Sequence, residues 1–187
     1  MEILIAGFLA FVSSNIDDLF ILVLFYGNKS YANKEVILGQ FLGIFALTAI
    51  GIAGSLIGLF IPQKYIGLLG IIPLFIGLKE LYKLITHRNH DKHDVGYASN
   101  KNKIWTVAGV CFANGGDNIG IYIPLFATVN WSGKFAFFML FMLMTYLWCR
   151  IAMHITKYPL MQSALKKYGH LVTPFVFILL GIYIILG

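Results

Sequence analysis

The sequence predicts an all-α, polytopic membrane protein: six transmembrane helices arranged as two inverted three-helix repeats. Three observations predict it. Apolar runs of bilayer length recur along the chain, basic residues divide unevenly between the loops, and an acid–amide motif occurs twice at corresponding places.

Of the 187 residues, 59% are hydrophobic and only 12% charged, with a mean hydropathy of +0.80. A soluble domain carries about 25% charged residues, so a separate soluble domain is excluded. The net charge of +6 reflects loop asymmetry and not a nucleic-acid surface. Cys111 and Cys149 both fall inside apolar runs, which argues for free thiols over a disulfide framework.

The spans are expected at 3–26, 35–60, 65–86, 104–127, 135–156 and 168–186, since a crossing takes roughly 20 residues. The first follows Met1-Glu2 without the basic region and cleavage site of a signal peptide, so it counts as a span. By alternation, one side of the membrane receives Lys29, Lys34, Lys79, Lys83, Arg88, Lys92, Lys101, Lys103, Arg150, Lys157, Lys166 and Lys167. The other receives Lys64 and Lys134. The positive-inside rule puts the basic side in the cytoplasm and both termini outside.

The chain is then expected to be one transmembrane domain, 1–187. Repeat one covers about 1–86, a cytoplasmic loop about 87–103, and repeat two about 104–187. Three is odd, so the halves enter the membrane from opposite sides, and a substrate site is expected between them at the midplane. Tyr65, Pro73 and Gly77 against Tyr168, Pro174 and Gly181 give a second, looser match between the halves. Gly39/Gly43, Gly54/Gly58 and Gly116/Gly120 are spaced for close helix contact. Such glycine-rich faces also point to a homodimer.

Asn15-Ile16-Asp17-Asp18 lies in the middle of the first span, and Asn114-Gly115-Gly116-Asp117 follows 99 positions later in the middle of the fourth. A carboxylate there costs several kcal/mol unless paired or coordinated. In helical phase Asn15 shares a face with Asp18, and Asn114 with Asp117. Together they offer two carboxylates and two amide oxygens, a donor set of charge −2 matched to a divalent cation. Asp17 and Asn118 point about 100° away and are expected behind the ligands or facing a partner, with Ser14 and Cys111 as further candidates. Gln40 either completes the site or bonds to a neighbouring helix.

Glycines 115, 116 and 120 and Pro124 weaken the fourth span at its polar centre. Unwound backbone is tolerated in a membrane only where it lines a cavity or ligand. Oxygen donors suit Ca²⁺, Mn²⁺ or Mg²⁺, whereas Cd²⁺ prefers sulfur. Met139, Met142, Tyr146, Cys149 and Met153 form a stripe that either fills gaps between helices or lines a soft-metal path. His154 beside it reads as an interfacial histidine. The segment 87–94, with His87, His90, His93, Asp91 and Asp94, reads as a solvated loop or a loose metal collector. No nucleophile–histidine set accompanies the acids and no H-E-x-x-H is present, so an enzyme is not expected.

On these motifs, Asn15 to Phe20 and Ala113 to Tyr122, the chain resembles the bacterial cadmium resistance transporter family, the CadD-like proteins of the lysine-exporter superfamily. The likeness runs over essentially the whole length. It implies export of Cd²⁺, with Zn²⁺ or Mn²⁺ as further ions, and carries metal contact to Asn15, Asp18, Asn114 and Asp117. Without a Walker A motif, export must run on an ion gradient. Moving two charges outward costs roughly 4.6 kcal/mol per 100 mV, which two returning protons would cancel. Two close carboxylates emptied of metal repel and can hold protons, so metal/proton antiport is expected. The ion is substrate, and no cofactor is expected. The alternatives are an exporter of a small organic cation or amino acid, and a membrane metal sensor that binds without transport.

Overall fold

The computed structural model describes residues 2–56, 67–86, 102–158 and 174–186. The histidine-rich segment 87–94, Gly58, and Lys64, Lys92, Lys101, Lys166 and Lys167 lie outside the described residues. Within them the chain is helical, without strands. The helices are α1 (Glu2–Ser14), α2 (Ile16–Gly27), α3 (Asn33–Ser55), α4 (Ile71–Ile85) behind a 3₁₀ turn (Gly67–Gly70), α5 (Lys103–Asn114), α6 (Gly116–Ala127), α7 (Trp131–Ile155) and α8 (Pro174–Leu186).

Among the described residues, α3 and α7 are each long and apolar enough to cross a membrane; α1 with α2 makes a third if the bent pair counts as one span. Their lipid-type surface is plain: Leu9, Phe45, Leu143 and other large apolar side chains are exposed. This is a membrane protein.

The first span is not one helix. It bends by 53° at Asn15, where the backbone leaves helical angles (φ −112°, ψ 13°). The expectation of local weakness was confined to the glycine-rich fourth span, which does break, at Gly115. The first span breaks without glycine because polar side chains compete for its carbonyls. Ser13 Oγ donates to Leu9 O (2.7 Å) and Asn15 Nδ2 to Phe11 O (2.8 Å), bonds that rival the helix ladder. The Trp148 indole also donates to Asn15 O (2.8 Å).

Helix α3 packs along α5 and α6, while α7 packs along α1 and α2. Small residues set the first of these contacts. A Cβ on Gly39 would lie 2.5 Å from Val107, and one on Gly43 2.6 Å from Cys111 Sγ. Gly51 and Gly54 meet Tyr122 and Ile123 in the same way. Gly116, expected at a contact, faces open space; the break at Gly115 turns it off the packed face. On the other contact, Gly7 meets Phe137 and the Phe11 and Phe141 rings lie 5.4 Å apart. Helices α4 and α8 cross closely: Gly77 abuts Ile178 and Pro174, and Gly181 abuts Leu74 and Gly70.

Ties at the helix ends hold the arrangement. Lys134 Nζ donates to Ser55 Oγ where α3 ends and α7 begins. At the opposite end Lys103 reaches Ser30 O and lies 3.9 Å from Glu35.

Candidate metal site

Asp18 stands one turn beyond the Asn15 break and is 1% exposed. Its Oδ2 accepts from Gln40 Nε2 (2.8 Å) and from the Cys111 thiol (3.3 Å); its Oδ1 accepts from Asn114 Nδ2 (2.7 Å). Three helices thus meet at one carboxylate: α2 brings the acid, α3 the glutamine, and α5 both the thiol and the asparagine. Among the described residues, no cationic side chain pairs with Asp18. A buried charge held only by neutral donors is costly.

A second polar cluster adjoins the first. Asn15, fully buried, donates from Nδ2 to Ser14 Oγ (2.9 Å) and to Tyr122 OH (2.9 Å). Asn118 Nδ2 donates to Asn15 Oδ1 at 3.3 Å. The other half of that carboxamide, Asn118 Oδ1, is buried without a hydrogen-bond partner. An orphaned buried acceptor is destabilising until a donor, a water or a cation reaches it.

The structure therefore brings together Ser14, Asn15, Asp18, Gln40, Cys111, Asn114 and Asn118. It leaves Asp17 and Asp117 at the exposed surface of their helices. Asp117 Oδ1 accepts from the Asn118 backbone N–H (3.1 Å), and its charge interacts with those of Asp17 and Asp18. The motif alignment pairs Asp18 with Asp117. In the fold each break resets the phase, and the residue three beyond the break is Asp18 in one span and Asn118 in the other. Asn118, expected to point away, is the one turned inward.

Tyr122 and Trp148 take part in the site without having been singled out. Tyr122 follows Asn118 by four, one helical turn, and that spacing was the available signal. Trp148 comes from α7, and nothing local ties it to Asn15. The methionine stripe does not form a single path: Met139 and Tyr146 are exposed, whereas Cys149 is buried. His154 is exposed, its ring 5.2 Å from that of Tyr158. Among the described residues, no three His, Cys, Asp or Glu side chains gather as a metal cluster.

A family model for cadmium resistance transporters matches residues 11–187. The chain belongs to the cadmium resistance transporter family. That match spans both breaks and every residue of the buried site. No curated protein and no solved structure matches the chain. Membership of the cadmium resistance transporter family makes the chain a cadmium resistance transporter.

Proposed function

We propose that this protein exports Cd²⁺, with Zn²⁺ or Mn²⁺ as further ions, from the cytoplasm across the plasma membrane in exchange for protons. The observation that carries the reading is Asp18: a buried carboxylate at mid-span, without a cationic partner among the described residues, ringed by amides and a thiol. Asn15, Asn114 and Asn118 supply oxygens, Cys111 the soft donor that favours Cd²⁺, and Gln40 completes the ring. Turning the Asn114 and Gln40 amides about their terminal bonds exchanges the N–H donors that face Asp18 for oxygens that face an ion. Asp117 adds the second negative charge from the rim. Its exposure at mid-span fits a water-filled passage, since a charge facing lipid there is expensive.

The contacts support six spans in two inverted repeats. Adding 100 to the numbers of the first span and 98 to those of the second turns Gly7–Phe137 into Val107–Gly39, and Phe11–Phe141 into Cys111–Gly43. Adding 104 to the third exchanges Gly77–Ile178 with Gly181–Leu74. Such reciprocity is what a two-fold relation between halves requires, and rocking of one half against the other would open the site to each side in turn. With both termini outside, Gln40, Cys111 and Asn114 lie on the cytoplasmic approach and Tyr122 on the outward one.

The test is Cd²⁺ flux in vesicles containing the purified protein under an imposed pH gradient. Flux that follows the gradient and vanishes with Asp18→Asn is expected. Flux indifferent to the gradient removes proton coupling, and binding without flux replaces the exporter by a sensor.

A further inference from the structure

We propose that Thr48 and Asn118 form an outward-side station for the exported ion, built of neutral oxygens, which receives it from Asp18. The proposal rests on the export reading and its sidedness. Thr48 is fully buried in α3, and its Oγ1 has no hydrogen-bond partner. That is unusual for this chain. Thr86, Thr145 and Thr156 each donate back to the carbonyl four residues earlier, at 2.8, 2.7 and 2.8 Å.

Asn118 Oδ1 is likewise without a partner, and the contacts of neighbouring residues put it at the level of Thr48. On α3, Leu47 is the neighbour of Gly115, and Gly51 that of Tyr122. Thr48 lies between Leu47 and Gly51, and Asn118 between Gly115 and Tyr122, on helices that run side by side in the same direction. A buried hydroxyl and a buried amide oxygen left without partners are destabilising, and a cation passing between α3 and α6 would satisfy both.

The two breaks make the station unequal to its counterpart. Three residues beyond the first break stands a carboxylate, and three beyond the second a carboxamide. A charged site captures a divalent ion, while a neutral one holds it weakly enough to let go, the balance that conduction requires. The same ligand asymmetry orders the path, with capture at Asp18 from the cytoplasmic side and release past Thr48, while the exchanged protons supply the direction.

Thr48→Val keeps the shape and removes the oxygen. In vesicles its Cd²⁺ flux should fall by about tenfold, while Cd²⁺ binding in detergent stays within about threefold of the parent. Its thermal midpoint should hold or rise, because an apolar group of the same shape replaces an unsatisfied one. Thr48→Ser, which keeps the hydroxyl, should restore flux. Unchanged flux in Thr48→Val overturns the station, as does flux and thermal stability lost together, which would mark a structural hydroxyl. If the parent binds no Cd²⁺, the export reading falls and the station with it. If the parent binds and moves Cd²⁺, Asp18→Asn does neither, and Thr48→Val moves it like the parent, only the station falls.

Discussion

Asp18 and Asn118 each lie three residues past the break in their span and are both buried, yet one is a carboxylate and the other a carboxamide. The Asp18 carboxylate accepts from Gln40, Asn114 and Cys111, whereas Asn118 leaves an oxygen unused. The predictions below turn on this difference.

Asp18→Asn should weaken Cd²⁺ binding by about 100-fold or more, since a charged ligand is worth roughly 1.5–3 kcal/mol in a hydrogen bond and more against a cation. Asp117→Asn, at the rim, should cost about tenfold. Titration calorimetry on the solubilised protein separates the two. Equal losses would mean that both acids touch the ion.

Bound metal should stabilise the fold. At a free Cd²⁺ concentration of 100 times Kd the gain is about 2.7 kcal/mol, visible as a raised thermal midpoint in detergent. Chelator should reverse it, and Asp18→Asn should show no shift.

Cys111 is the only sulfur in hydrogen-bond contact with Asp18 among the described residues. Cys111→Ser should lower Cd²⁺ affinity by about tenfold while leaving Mn²⁺ nearly unchanged, because serine keeps the size and replaces soft sulfur with hard oxygen. Competition between the two ions for the purified variant reads this directly.

Two glycines expected alike should behave oppositely. In Gly43→Ala the added Cβ would sit 2.6 Å from Cys111 Sγ and 3.1 Å from Ala108 O, costing about 1–3 kcal/mol by overpacking. Gly116→Ala meets nothing within 4 Å and should be neutral or slightly stabilising. Thermal unfolding of both in one detergent checks the contrast.

By itself the sequence determined the class of protein, the family, and where along the chain the polar chemistry falls. Apolar runs and a mid-span acid carry their cost whatever surrounds them, so Asn15, Asp18, Asn114, Cys111 and Gln40 were legible from composition and spacing. That Asp18 would bond to three of them at once was not, nor were the places of Tyr122, Trp148 and Thr48, because contacts between separate spans leave no local pattern. The register was also decided only in three dimensions. Asn15 is itself the break in the first span, but in the second motif the break falls at Gly115 and not at Asn114, a displacement of one residue. On a helix that turns about 100° per residue, one position is enough to carry Asp117 out to the surface and bring Asn118 inward.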